Sequence, residues 1–524
     1  MYYTLTVSRT HIAGLTLIKG ASVGIAAALF SSVIPALDAA ATRPVTLMQA
    51  PVRQTKFSYQ LAWPALAGGL LLAISLSLFS WKQSSTGLVF LGIFMLFAGA
   101  SLVCPALISA AVSLASGTVK WLDRTGLRID SAIALMGIRN ISRSLSRTAV
   151  LIASLMVVVS VYIGIDTMTR SFRLSIEEWV DGHIGGDIHI SSLDELNPGL
   201  DISVLEGVTA MDPVKAVSAY NIHKNFSSRS GEVHLFSYLK DLSEKKWQWL
   251  APEAGPDGIH IDSLMNQGWI LVSEILARQH DLLPDSGNRP VRVTMDTAQG
   301  EKTFPVAGVF RDFFMGGGRA VVSRELMKEY WGKDEVTSIQ LFVSGRDAEE
   351  KETTVRQMIS AIRERHNGSG LLRIRSGSEI KQSILAVFDK TFLITTALQF
   401  LTALVALTGI VNSIMALILE RSRELAVLRA CGAEPFQVRR LILWESGACG
   451  FMAGGFALPL GILLSWVLID VVNFRAFGWT YDMRLSWLTM AQALGFSFAA
   501  ALGSGLIPAF RAGNISVARA LRTE

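Results

Sequence analysis

Apolar residues in this chain form separated runs that are long enough to cross a bilayer. Crossing the hydrocarbon core takes about 20 helical residues. Seven runs reach this length, near residues 13–36, 61–80, 87–114, 148–168, 392–419, 446–472 and 486–510. The pattern predicts an α-helical transmembrane bundle of about seven spans.

The long polar stretch between the fourth and fifth spans has the pattern of a mixed α and β domain. Segments rich in β-branched residues lie at 187–191, 291–295, 303–309, 320–322 and 339–343, and helical segments lie at 273–279, 348–365 and 378–388. We therefore expect one inserted α+β domain over residues 171–388. Helical segments at 163–179 and 380–391 should connect this domain to the membrane as two stalks.

Composition supports a membrane protein. The 524 residues are 50% hydrophobic and 17% charged, whereas soluble domains carry about 25% charged residues. The net charge of +5 lies mostly in the loops between spans, which argues against a nucleic-acid partner. The cysteines, Cys104, Cys431 and Cys449, all lie outside the polar stretch, so no disulfide framework is expected there.

The distribution of Lys and Arg predicts an orientation, because these residues accumulate in cytoplasmic loops. Basic loops follow the first, third, fifth and last predicted spans. Strict alternation of the spans then places the N-terminus outside and the C-terminus in the cytoplasm. Residues 171–388 would lie on the extracytoplasmic side of a bacterial inner membrane.

The two ends of the chain contain similar spans. Residues 26–39 (AAALFSSVIPALDA) and 499–512 (AAALGSGLIPAFRA) align without a gap, although two Ala-rich helices can also resemble each other by chance. The repeat predicts that residues 1–50 are the last span and cytoplasmic tail of a first module. Residues 51–130 would be two linker spans, 131–170 an interfacial helix and the first span of a second module, and 389–524 its three-span domain. The rest of the first module would lie in a missing N-terminal part or in a second permease chain.

A charged segment with an ordered motif lies between the fifth and sixth spans. Residues 420–433 read ERSRELAVLRACGA, and Phe436-Gln437 follows shortly after. At helical spacing, apolar residues gather on one face of this segment and charged residues on the other. Gly432 is positioned to end the helix, and Pro435 lies just beyond it.

This motif resembles the signature of the FtsX-like, MacB-type permeases of ABC transporters. The resemblance implies a coupling helix that docks on a separate ATPase and follows its closure. The residues carried over are Glu420, Arg421, Arg423, Glu424, Leu428, Arg429, Gly432, Ala433 and Gln437. The alternative is a solvated charged loop that only anchors the topology.

A basic segment precedes the fourth span. Arg139, Arg143 and Arg147 recur every four residues, with apolar residues on a neighbouring face. Such a helix should lie in the membrane interface, with its apolar side in lipid. FtsX-like modules begin with a similar helix, although a general positive-inside anchor explains the arginines equally well.

The resemblance implies a transport function without catalysis by this chain. The chain contains no GxxxxGK[ST] segment, so ATP and Mg²⁺ should be bound by a partner ABC ATPase, expected as a dimer. We expect no catalytic residue, metal or cofactor in the chain itself. The permease would couple ATP hydrolysis to the movement, export or extraction of a lipophilic cargo such as a lipoprotein, lipid or amphiphilic peptide.

The alternative function is that of an FtsX-like regulator, which activates an extracytoplasmic partner such as a cell-wall hydrolase without transporting anything. Expected partners in either case are the ATPase, the first permease module, membrane lipid, and an extracytoplasmic cargo or adaptor. Gly447, Gly450, Gly454 and Gly455 in the sixth span should serve as small-residue contacts between helices.

Overall fold

The computed structural model describes most of the chain, with gaps. The described residues are 14–41, 57–81, 85–124, 141, 145–183, 185–193, 199–227, 231–238, 247–251, 261–280, 282, 291–313, 318–365, 372–420 and 422–513.

The described residues contain both long apolar helices and shorter ones. They are α1 (Gly14–Ala41), α2 (Phe57–Ser80), α3 (Thr86–Arg124), α4 (Leu145–His183), α5 (Ile202–Thr209), α6 (Ile261–Asn266), α7 (Glu274–Gln279), α8 (Arg324–Trp331), α9 (Ala348–Arg365), α10 (Gly377–Glu420), α11 (Ser422–Ala430), α12 (Pro435–Trp466), α13 (Phe474–Phe477) and α14 (Trp487–Gly513). A π-helix, Val467–Asn473, joins α12 to α13.

Within the described residues, six helices are long and apolar enough to cross a membrane. They lie in α2, α3, α4, α10, the continuous run from α12 to α13, and α14. The chain divides into two compact units, residues 1–64 and 65–524. The first unit contains α1, which covers the first predicted span but is not one of the six helices. The total of seven spans therefore stays a prediction.

Small residues allow the central spans to approach closely. A Cβ atom added at Gly164 of α4 would lie 2.6 Å from Leu464 Cδ2 of α12, and one added at Gly461 would lie 2.7 Å from Ile163 Cβ. In lipid, where no hydrophobic effect drives helices together, such close packing is a main source of association. These glycines therefore hold α12 against α4.

The same principle applies between α12 and α14. A Cβ atom at Gly450 would lie 2.5 Å from Ala501 Cβ, and one at Gly454 would lie 3.1 Å from Ser497 Cβ. The Ser497 hydroxyl also donates to the Gly450 carbonyl at 2.7 Å. The predicted small-residue contacts are confirmed at Gly447, Gly450 and Gly454, whereas a Cβ at Gly455 would meet nothing within 4 Å.

The polar stretch folds around a ten-stranded sheet. The strands are β1 (Ile188–Ser192), β2 (Val214–Ser227), β3 (Gly231–Tyr238), β4 (Trp249–Ala251), β5 (Ile270–Ser273), β6 (Arg292–Thr297), β7 (Gly300–Phe310), β8 (Gly318–Ser323), β9 (Ser338–Val343) and β10 (Leu372–Ser376). Their order is β10-β1-β9-β2-β3-β8-β5-β7-β4, with β6 paired to β7. The pairs β3–β8 and β5–β7 are parallel, and the others are antiparallel.

Helices cover the sheet at two apolar clusters. Met358 and Ile362 of α9 pack against residues of β1, β9 and β10. Leu276 of α7 and Met327 and Trp331 of α8 pack against β3, β5 and β8. The chain is thus a transmembrane helical protein with one inserted α+β domain, as the sequence predicts.

The predicted strands coincide with β1, β6, β7, β8 and β9, and the predicted helices with α7, α9 and the start of α10. The strands β2, β3, β4, β5 and β10 were not predicted. All four residues of β5 are buried, so this strand shows no alternation of polar and apolar residues. The helices α4 and α10 run without a break through the predicted domain edges at 171 and 388, and the sheet occupies 188–376.

Candidate functional site

The predicted coupling segment forms a short helix, α11, between two long ones. Leu425 and Ala426 are buried, whereas Glu424 is exposed and Leu428 and Arg429 are half-buried. One face of α11 therefore packs on the protein, and the other presents charge to the surface. Glu420 ends α10, and Arg423 lies in α11, but the structure does not describe their side chains; Arg421 lies outside the described residues.

A tight turn ends α11. Gly432 has φ +101°, and its N–H donates to the Arg429 carbonyl at 3.1 Å, while the Ala433 N–H donates to the Leu428 carbonyl at 3.1 Å. This pair of bonds is a Schellman motif, whose left-handed residue is usually glycine because a Cβ is strained there. The prediction that Gly432 ends the helix is confirmed.

The next helix begins at once after this turn. Pro435 is the first residue of α12, where its missing N–H costs no hydrogen bond. The Glu434 N–H donates to Gln437 Oε1 at 3.0 Å. Gln437 therefore stabilises the start of α12, a structural role that the resemblance did not imply. Because this turn joins α11 directly to α12, and one residue separates α11 from α10, a force on α11 would act on both long helices.

The surface of this region also exposes apolar side chains. Val427 is 46% exposed and Phe436 is 67% exposed. Large exposed apolar residues bordered by charge are a common composition for a protein interface. Phe436 was not among the predicted coupling residues, although it directly precedes Gln437, which was.

The predicted interfacial helix is only partly described. Arg139 and Arg143 lie outside the described residues, and the structure does not describe the side chain of Arg147, in the first turn of α4. Ile141 and Leu145 are buried in the protein. These two apolar side chains are therefore not exposed to lipid, contrary to expectation, and the interfacial position of the three arginines stays a prediction.

The two stalks lie side by side where they leave the spans. Asp181 near the end of α4 pairs with Lys381 of α10 at 2.6 Å. Arg173 of α4 is 3.5 Å from Asp389 of α10. These pairs are exposed, and each contributes at most about 1 kcal/mol. They show how the two stalks are aligned along each other, but they contribute little to the stability of that alignment.

An apolar cluster, here called the junction, joins the stalks to the domain and to the last spans. Its buried members are Ile176, Trp179, Val180, Phe313, Ile469, Trp479 and Tyr481. The ring of Phe172 lies at its centre, with centroid distances of 5.2 Å to Trp479, 5.3 Å to Tyr481, 5.3 Å to Phe388 and 6.2 Å to Phe313. Four chain segments therefore share one aromatic core.

The loop between α13 and α14, residues 478–486, is here called the strap. It binds the domain through Glu274 at the start of α7, whose side chain is fully buried. Glu274 accepts hydrogen bonds from the Thr480 N–H at 3.0 Å and the Thr480 hydroxyl at 2.9 Å, and pairs with Arg278 at 2.7 Å. Burying a carboxylate is costly unless its oxygens are bonded in this way.

Two further ion pairs attach the strap. Arg311 of the domain donates to Asp482 at 2.7 Å, and this guanidinium holds the pKa of the Asp482 carboxyl below its ordinary value. Arg484 pairs with Glu178 of α4 at 2.7 Å, and its N–H donates to the Ser171 hydroxyl at 3.0 Å. The strap is thus bonded to the domain and to one stalk at once.

The domain segment that meets the strap is itself anchored inside the domain. Asp312, next to Arg311, pairs with Arg319 at 2.9 Å, and both side chains are at least 90% buried. The Arg319 guanidinium also lies 4.2 Å from the ring centroid of Phe236. Removing one partner of a buried pair costs about 3–5 kcal/mol, so this segment resists displacement relative to the sheet.

Sequence reasoning missed the strap. Its only local signal is the run Trp479-Thr480-Tyr481 between two spans, which is typical of any membrane interface. Its partners, Glu274 and Glu178, lie more than 200 residues away. Within the described residues, no group of three or more His, Cys, Asp or Glu side chains is placed to hold a metal ion.

Comparison with known proteins agrees with the motif. Residues 396–517 match the FtsX-like permease C-terminal family. Over 532 aligned residues the chain is 29% identical to an uncharacterized ABC transporter permease of Mycobacterium tuberculosis, covering 100% of this chain and 60% of that protein. The chain thus spans about 60% of the length of this relative.

Two further relatives match shorter parts. The lipoprotein-releasing system transmembrane protein LolC of Haemophilus influenzae is 32% identical over 24% of this chain and 32% of its own length. The macrolide export ATP-binding/permease protein MacB of Syntrophobacter fumaroxidans is 23% identical over 35% of this chain and 26% of its own length.

A solved structure, the extracellular domain of the ABC-type transporter YknZ, aligns with 36% of this chain and 100% of its own at 13% identity. Its TM-score of 0.26 is too low to support a structural argument. The sequence matches, together with the ordered motif that ends in the Gly432 turn, support an FtsX/MacB-type permease.

Proposed function

We propose that this chain is the permease of an ABC transporter in which a partner ATPase moves the coupling segment, and the stalks carry that movement to the α+β domain. The observation that carries the proposal is the continuity of α4 and α10. Each is one helix from a membrane span to the edge of the sheet. A helix of this length transmits a tilt or a shift as a nearly rigid body.

The junction supports transmission rather than independent motion of the domain. A fully buried large apolar side chain contributes about 1.5–3 kcal/mol, and the junction has several such side chains on four segments. The strap adds the Glu274 and Asp482 contacts. Movement of α12 and α14 would therefore reach the domain through the strap as well as through the stalks.

The proposed work is the extraction or export of a lipophilic cargo on the extracytoplasmic side, with ATP and Mg²⁺ bound by a dimeric ATPase. The names of the relatives, one lipoprotein-releasing and one macrolide-exporting, support a cargo of amphiphilic character. A regulator of an extracytoplasmic partner would use the same transmission. Stimulation of ATP hydrolysis by cargo distinguishes transport from regulation.

The proposed orientation predicts the labelling of single cysteines in intact cells. Cys431 is exposed in the coupling turn, whereas Cys104 and Cys449 are buried. A membrane-impermeant maleimide should not label Cys431 until the cells are permeabilised. In a Cys431→Ala background, Ser227→Cys on the domain should react without permeabilisation. Labelling of both positions from the same side would contradict the orientation.

Linking the two stalks should block the proposed cycle. In the Cys431→Ala background, Asp181→Cys and Lys381→Cys replace an existing ion pair, and a short bifunctional thiol reagent then joins α4 to α10. We expect the linked protein to bind the ATPase normally but to lose stimulation of its turnover, with recovery on cleavage of the link. Each single cysteine treated with the same reagent is the control. Full stimulation with the link intact would exclude relative motion of the stalks.

A further inference from the structure

A groove of about 590 Å³ runs between α3, α12 and α14, in the membrane-spanning part of the molecule. This volume lies in the range of about 300–1,000 Å³ that is common for small-ligand sites. Of the described side chains that line the groove, Arg440 alone is charged, and almost all of the others are apolar. The groove is therefore apolar, with one cationic side chain in its wall.

The groove has the length of one bilayer leaflet. On α12 its lining extends from Arg440 to Met452, and the twelve steps between these residues span about 18 Å at 1.5 Å per residue. The hydrocarbon core is about 30 Å thick. With Arg440 at headgroup level, the groove ends near the middle of the bilayer, which is where an acyl chain ends.

Two side chains of the groove, Arg440 and Trp444, end in a polar group and are suited to the membrane interface. Arg440 and Trp444 are four residues apart, so they share a face of α12. Trp444 is 46% exposed, and tryptophan favours the depth of the lipid headgroups. The planar guanidinium of arginine suits a phosphate, to which it can donate two parallel hydrogen bonds.

Beyond this pair, small residues form part of the groove wall. Gly447 and Ala448 follow Trp444 into the membrane along the groove. A Cβ at Gly447 would lie 3.1 Å from the Phe498 ring of α14. Gly447 therefore lets Phe498 pack close to α12 as part of the groove wall, and Phe451 and Met452 line the far end.

We propose that this groove binds one acyl chain of an anionic phospholipid, with the headgroup phosphate on Arg440. An apolar occupant with a single negative end matches both the wall and its one cation. In the orientation proposed above, this is a lipid of the cytoplasmic leaflet, next to the coupling turn. Through this site, the packing of α12 against α3 and α14 would depend on the anionic lipid content of the membrane.

The test uses the full chain in neutral detergent micelles, without ATPase, so that its outcome does not depend on the proposed function or orientation. Phosphatidylglycerol with brominated acyl chains is titrated against brominated phosphatidylcholine, and quenching of tryptophan fluorescence is recorded. The chain has 12 tryptophans, so the difference between wild type and Trp444→Phe isolates the Trp444 signal. We expect phosphatidylglycerol to quench that signal at about fivefold lower mole fraction, the usual effect of one basic residue near anionic lipid.

The neighbouring arginine provides a matched control. Arg439 lies at the same depth, but its guanidinium stacks 4.8 Å from the ring centroid of Phe510 and does not line the groove. Arg440→Gln should abolish the preference for phosphatidylglycerol, whereas Arg439→Gln should retain it. Equal quenching by the two lipids in the wild type, or equal loss in the two variants, would overturn the proposal.

A second variant tests the acyl-chain part of the site. Ala111 lines the groove from α3, and Ala111→Leu should fill the groove and weaken Trp444 quenching by both lipids several-fold. Unchanged quenching would show that no chain enters the groove. Absence of quenching by either lipid, together with cross-linking of the chain as a dimer through Ala111→Cys, would assign the groove to a second copy.

Discussion

Reversing Arg423 and Arg429 to Glu is expected to abolish association with the partner ATPase while leaving the permease in the membrane. The segment ends in the Gly432 turn and the capped start of α12, so the charge change should not unfold it. Like charges placed across an interface cost several kcal/mol, and each 1.4 kcal/mol is a factor of ten in affinity. The ATPase retained on the purified permease should therefore fall at least about tenfold, as measured by co-purification and by ATP turnover.

The control for this experiment reverses two exposed arginines of the α+β domain, Arg346 and Arg365, to Glu. This change alters the net charge equally but leaves the coupling segment intact, so co-purification should persist. Labelling of Cys431 reports whether the altered permease keeps its orientation; Arg421, Arg439 and Arg440 remain to hold the loop inside. Unchanged ATPase retention in the Arg423 and Arg429 variant would reduce the segment to a topology anchor.

Replacing Trp479 by Ala is expected to release the strap from the junction. Trp479 is 3% exposed and contacts the rings of Phe172, Phe313 and Tyr481. Truncating a buried tryptophan costs about 3–5 kcal/mol. The variant should still bind the ATPase at the distant coupling segment, but amide hydrogens near Thr480 and Ile275 should exchange faster, and stimulation of turnover by cargo should be lost.

Trp487→Ala is the matched control for this change. Trp487 stands eight residues further along, at the start of α14, and is 84% exposed. Its removal leaves the junction intact, so exchange and stimulation should stay at wild-type values. If the two variants behave alike, the strap does not transmit movement to the domain.

The sequence alone was sufficient for the features that depend on local patterns. Long apolar runs, the Gly432 stop and the helix of residues 348–365 could be predicted, because span length, helix ends and helical periodicity are properties of neighbouring residues. The ordered motif at residues 420–433 was also sufficient to recognise the resemblance to FtsX-like permeases. Its individual coupling residues stay a prediction, and the role that the structure gives Gln437 is to cap the start of α12.

Only the tertiary structure revealed how the membrane and the domain are joined. In the sequence, Glu274 is an ordinary acidic residue in the first turn of a short helix. Its hydrogen bond to Thr480 joins two segments that lie 206 residues apart. The groove beside Arg440 likewise requires three helices from distant parts of the chain. Such contacts depend on which faces of distant segments pack together in the folded chain. The periodicity of one segment shows which of its faces is buried, but not which other segment covers that face.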